Sequence, residues 1–164
     1  NANKKLVENS KPKLEFYDST NPNKYLVDKN GQWSATAANE YMTTALTSYN
    51  EANNNMIELV ICNNDGMAEG AITALGSVGF NTGGDKRIPV FGVDATDAAK
   101  ELIKDGKMTG TIKQDAEGMA KALGKTVSNG LEGKELTEDM DDYTIDEKVD
   151  KIRVHYAVYL GDKK

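Results

Sequence analysis

The run Ile57-Glu58-Leu59-Val60-Ile61-Cys62-Asn63-Asn64-Asp65-Gly66-Met67-Ala68 decides the fold, together with a second run of the same kind, Ile88-Pro89-Val90-Phe91-Gly92-Val93-Asp94-Ala95. Each starts as a short apolar segment rich in Ile and Val and breaks off in Asn or Asp. Segments of that length suit buried strands of a parallel sheet, whose polar residues gather beyond the strand ends. Between the two, Met67, Ala71, Ile72, Leu75 and Val78 mark the inner face of a helix, for which Asp65 is the expected cap. Strand, helix and strand then make one βαβ unit. In such sheets ligands collect outside the carboxyl ends of the strands, which is where Asn64 and Asp94 fall.

The same alternation continues outward. Thr96 or Asp97 can start a short helix carrying Ala98, Ala99, Leu102 and Ile103, with Gly106 placed to stop it. Met108 to Lys113 is a third strand. Asp115 can cap a last helix through Met119, Ala122, Leu123 and Val127, ending at Asn129-Gly130. Upstream, Ala38, Tyr41, Met42, Ala45, Leu46 and Tyr49 recur at three and four residues and give a helix over Thr36 to Asn50. Lys13 to Asp18 alternates like a strand, and the polar loop Ser19 to Gln32 leads to Trp33. Asn3 to Asn9 reads as the last turns of a helix with no cap to start it. After an acidic linker, Leu131 to Asp142, the tail alternates: Ile152, Val154, Tyr156, Val158 and Leu160 share one face, as in a pair of strands at a sheet edge. The expected fold is α/β, a layered and mainly parallel sheet flanked by helices, with the strand at Ile88 to Val93 covered on both faces.

Composition narrows the function classes. The 164 residues, 38% of them hydrophobic, are enough for one moderate core. A net charge of −6 without any Lys/Arg cluster argues against nucleic acid, whose phosphates need neutralising. No apolar run approaches the roughly 20 residues that span a bilayer, and no signal-peptide core is visible, so direct membrane insertion is not expected. Cys62, the single cysteine, sits in an apolar strand as a small filler and has no disulfide partner.

The polar strand ends carry the chemistry. Asn64 offers an amide donor and a carbonyl acceptor, Asp94 two acceptors, and Gln114, after the third strand, both functions again. Sugar hydroxyls each donate and accept, so a carboxylate flanked by amides satisfies them, and the charged acceptor makes the stronger bond. The same residues also suit strand-end turns. Trp33, the only tryptophan, can cover the C–H face of a pyranose or pack beneath its loop. His155, the sole histidine, has no nucleophile motif near it and reads as a solvated strand residue. Gly66, Gly70 and Gly76 do not form a phosphate-binding pattern. Glu58 lies within a strand and needs solvent or a cation, but one carboxylate falls short of the roughly six to eight oxygens of a calcium site.

Taken together, residues 57–68, 88–95 and 110–115, the last reading Gly110-Thr111-Ile112-Lys113-Gln114-Asp115, resemble the periplasmic galactose/glucose-binding protein family. The resemblance runs from about Trp33 to the end and is strongest over Glu58 to Asp115. It implies one lobe of a two-lobed, hinged sugar receptor that catalyses nothing. Such a receptor delivers glucose or galactose to an ABC permease outside the cytoplasm, in the periplasm or as a cell-surface lipoprotein, and in some bacteria to a chemoreceptor.

By the same resemblance, Asn64 and Asp94 bond the sugar hydroxyls and Trp33 stacks on the ring. Gln114 stands where the family usually has the shorter Asn. Glu58 matches the carboxylate that completes a calcium site, whose loop would lie upstream of Asn1, so this chain by itself carries no cofactor. Residues 1–113 would then be C-terminal lobe, 114–131 a hinge crossing with a helix of the N-terminal lobe, and 132–164 the hinge return and last strands. The helix after Asp115 would be left without its sheet and would call for the upstream lobe or a second copy of the chain. A pentose as ligand, the effector domain of a LacI-type repressor, or an α/β enzyme are the alternatives the same residues allow.

Overall fold

A helix opens with N–H groups that have no intrahelical partner, and this chain supplies a side-chain oxygen at each main start. In the computed structural model, which describes residues 2–149 and 151–161, Ser34 accepts from Ala37 N to begin α2 (Ala35–Ser48), which follows the short terminal α1 (Ala2–Glu8). Asn64 begins α3 (Asp65–Ser77), Thr96 begins α4 (Asp97–Lys104) and Asp115 begins α5 (Ala116–Leu131). Gly106 closes α4 at φ +71°. The cap of α3 is therefore Asn64 and not Asp65, because only Asn64 has the extended backbone a cap requires, φ −148° and ψ 168°.

Three parallel strands, β1 (Val60–Ile61), β2 (Val90–Asp94) and β3 (Gly110–Lys113), run in register, with Val60 beside Val90 and Gly92 beside Thr111. Among the described residues two strands of the tail, β4 (Thr144–Asp146) and β5 (Lys151–Arg153), pair only with each other, and β6 (Ala157–Tyr159) joins β3 antiparallel. The main sheet thus has the order β1-β2-β3-β6. It is an α/β layer with a mainly parallel sheet flanked by helices.

Both crossovers advance the same way across the sheet, and right-handed crossovers then place α3 and α4 on one face. The core lies there, built from Val60, Ala68, Leu75, Val90, Ala99 and Ile103. Leu46 and Met42 bring α2 onto the same cluster. The second face is open: Ile61 and Val158 are each 69% exposed, and Phe91, Val93 and Ile112 are half-buried. Burial of β2 on both faces, expected from its nearly continuous apolar run, is not what the fold does.

Lys13 to Asp18 forms no strand. The side chain of Asn3 takes both backbone groups of Leu14, donating to its carbonyl at 2.9 Å and accepting its N–H at 2.8 Å, and so removes the pair a ladder would need. The tail is three short strands rather than two, and the face expected of Ile152 to Leu160 is broken by the unpaired residues 154–156, which include an exposed His155. Helix α5 runs past Asn129-Gly130 to Leu131. Asn129 is buried and donates to the carbonyls of Leu136 and Glu138, fastening the acidic linker. Outward from α5 point Leu123, Val127 and Leu131, all exposed.

Cys62 is half-buried against the core, and burial pushes its thiol up to about 11. Alkylation by iodoacetamide at pH 8 should therefore run more than about tenfold slower in the folded chain than in urea, since only the thiolate reacts. Equal rates would place the sulfur in water.

Candidate functional site

Asn64 stands at the end of β1 with both of its polar atoms engaged. Its carbonyl oxygen accepts from Met67 N at 2.7 Å, and its amide donates to the carbonyl of Trp33 at 3.0 Å. One N–H and one lone pair of the amide remain for a further partner. The cap and the tie to Trp33 are thus made by one side chain.

Trp33 is 56% exposed, in a loop held from below. Asp28, buried beneath that loop, accepts from Asn30 N at 2.9 Å and from Ser34 N at 3.0 Å, and the backbone at Trp33 is left-handed, φ +55°. The hydrogen bonds from Ser34 and Asn30 hold the Asp28 carboxyl below its ordinary value. A depressed carboxyl contributes stability that is present above the unfolded value, about 3.9, and lost as pH falls through the lower folded value. Trp33 emission should hold constant from pH 7 to about 4 and shift below it. In Asp28→Asn, which leaves nothing to protonate there, that acid shift should vanish.

Asp94 ends β2, exposed, and its Oδ1 accepts from Gln114 Nε2 at 2.7 Å. Among the described residues no other hydrogen bond engages that carboxylate. The structure therefore joins Asp94 to Gln114 and Asn64 to the backbone of Trp33, and lines both pairs along the carboxyl ends of adjacent strands. Asn64 and Asp94 each follow the registered pair Ile61 and Phe91 by three residues. They line an open edge. Two surface depressions lie elsewhere, one of about 600 Å³ bordered by Glu51, Asn54, Asn55, Met56 and Glu58, the other of about 300 Å³ beside Glu69 and Glu101.

Glu58 is exposed, with Glu51 on the rim of the same depression. Among the described residues no group of three or more His, Cys, Asp or Glu side chains comes together, so the residues present do not fit a calcium ion. No hydrogen bond links His155 to a described Ser or Cys. Asp65, expected as a cap, is instead a fully buried brace: its carboxylate accepts from Thr111 Oγ1 at 2.6 Å and from Thr96 N at 2.8 Å.

The chain as a whole has known counterparts. The model of the periplasmic binding protein domain matches residues 3–135. The chain belongs to this family. Among periplasmic binding proteins, the D-galactose/methyl-galactoside binding periplasmic protein of Haemophilus influenzae is 39% identical over 108 residues, 66% of this chain and 30% of that protein. A solute binding protein of an ABC transporter from Actinobacillus succinogenes, solved with bound D-allose, superposes with a TM-score of 0.59 at 28% identity, covering 77% of this chain and 38% of the other. One from Bacillus halodurans, with bound myo-inositol, gives 0.52 at 35% identity, over 62% and 32% of the two chains. The chain thus spans about a third of the length of the periplasmic binding proteins it matches.

Proposed function

We propose that this chain supplies one wall of a monosaccharide site in the substrate-binding component of a sugar ABC transporter working outside the cytoplasm. The observation that carries this is the row of Asn64, Asp94 and Gln114 at three neighbouring strand ends, beside Trp33. Adjacent strands lie about 4.8 Å apart, so the three side chains stand within reach of a single ring. Galactose, allose and myo-inositol, named for the three relatives above, are polyhydroxylated six-membered rings. A hexose, galactose or glucose, is the proposed ligand here.

Asp94 accepts from hydroxyls through the oxygen that Gln114 leaves free, and the spare donor and acceptor of Asn64 meet neighbouring hydroxyls. Trp33 covers the apolar C–H face of the ring. These contacts bind without turning the sugar over, and delivery to a permease is the role that follows. With one wall alone, affinity is weak, on the order of 1 mM. Calorimetric and Trp33-fluorescence titration with galactose, glucose, allose, ribose and myo-inositol tests the proposal. Saturable heats for the hexoses support it; heats indistinguishable from dilution for every sugar would sink it.

A further inference from the structure

The backbone at the end of β2 is left-handed at two successive residues that are not glycine, Asp94 at φ +119° and Ala95 at φ +58°. Asp tolerates positive φ better than most residues, because its side chain can bond locally. Ala has no such compensation. An L-residue stays in that region only where its surroundings impose the conformation.

Those surroundings are one buried pair. Ala95 N donates to Thr111 Oγ1 at 3.3 Å, and Thr96 N donates to Asp65 Oδ2 at 2.8 Å. Thr111 Oγ1 in turn donates to Asp65 Oδ1 at 2.6 Å, and both side chains are almost wholly buried, at 1% and 0% exposure. The two amides that follow Asp94 are therefore gripped from both sides, by the first turn of α3 and by β3. Gly92 belongs to the same clasp: a Cβ there would collide with Asp65 Oδ1, so glycine lets the brace reach between the strands.

We propose that Asp65 and Thr111 are positioning residues that hold the strained Asp94-Ala95 turn and thereby aim the Asp94 carboxylate at Gln114 and at the sugar. The proposal rests on the reading of Asp94 as a sugar ligand for its functional half; the clasp itself stands on the geometry. Without the clasp the turn relaxes to negative φ, which redirects the Cβ of Asp94 and takes its carboxylate away from Gln114. Asp65 and Thr111 never touch the ligand.

Thr111→Val keeps the shape of the side chain and removes the hydroxyl. In the full chain it should weaken galactose binding at least about tenfold, the worth of one hydrogen bond to a charged group. The three-bond HN–Hα couplings of residues 94 and 95, read by NMR, should move to values of extended backbone while those of the α3 residues stay put. Thr111→Ser should keep both binding and couplings. Adding Ala95→Gly to Thr111→Val should restore binding to within about threefold, since glycine takes positive φ without strain. Unchanged couplings in Thr111→Val, or a binding loss that glycine at 95 does not repair, would overturn the proposal.

If the wild-type chain binds no sugar, the proposed function fails while the couplings still decide the clasp. Should Thr111→Val not fold, Ala95→Gly alone decides. A raised thermal midpoint shows that strain was held there, and a lowered one shows that Ala95 was at ease and overturns the proposal.

Discussion

Alanine in place of Gly70 should cost the fold at least about 2 kcal/mol, although alanine is the better helix former. The two effects oppose one another and their sizes decide. In a helix interior Ala gains about 1 kcal/mol over Gly. Here the new Cβ would overlap the carbonyl of Ala35, the first residue of α2, with further backbone atoms of Ala35 close behind. Neither side of that contact can yield by turning a side chain. The collision is relieved only by moving α2 off α3, which also breaks the hydrogen bond from Asn39 Nδ2 to Gly70 O at 3.1 Å. Overpacking costs about 1–3 kcal/mol and occasionally more, and a clash of Cβ with rigid backbone stands at the upper end, about 3, which leaves about 2 kcal/mol after the propensity gain. At this chain length the thermal midpoint should fall by about 5 °C, followed by circular dichroism. Because α2 starts directly after Trp33 and Ser34, the indole emission should shift as well. A midpoint that rises would show that α2 and α3 leave room for a methyl group between them.

Gly70 also shows where the sequence stops being informative. Within one helix pattern it looks like a weak point, and only the approach of a segment 35 residues earlier gives it a purpose. Helices α2 to α5 are readable, because each carries a capping side chain and an apolar stripe. The parallel strands are readable from their short apolar runs, but not their coverage: Phe91 and Val93 are as apolar as Val90, and only the one-way progress of the crossovers leaves them half-open. Asn64 was marked as a ligand group by its place at a strand end. Its simultaneous use as a cap follows from the φ and ψ of a single residue, which composition does not fix. Asp65 sits one step from the true cap, and the side chain that bonds its carboxylate, Thr111, lies 46 residues on. The strand expected at Lys13 to Asp18 fails for a reason of another kind: a side-chain amide from α1 takes both backbone groups of Leu14.

Removing the Asp94 carboxylate should have the largest effect on ligand binding. Asp94→Ala loses a charge-assisted hydrogen bond to sugar hydroxyls, worth roughly 1.5–3 kcal/mol, or between about tenfold and 150-fold in affinity. From a start on the order of 1 mM that puts the galactose Kd of Asp94→Ala at about 10–150 mM. Alanine also sits less easily than aspartate at φ +119°, so the loss alone would mix contact with backbone strain. Asp94→Asn separates the two. It tolerates positive φ, keeps an acceptor for Gln114 Nε2 and loses only the charge, so it should retain binding weakened about tenfold. The pattern across sugars carries more than the size of the drop. Allose and glucose differ in the orientation of one hydroxyl, and only directional acceptors can tell them apart. If Asp94 and its amide neighbours read the hydroxyls while Trp33 covers the ring, Asp94→Asn should flatten the ranking among hexoses. Trp33→Ala should weaken every hexose by a similar factor and leave the ranking intact. Titration of these two variants with glucose, galactose and allose decides the matter, and a ranking that collapses in Trp33→Ala but survives in Asp94→Asn would reverse the assigned roles.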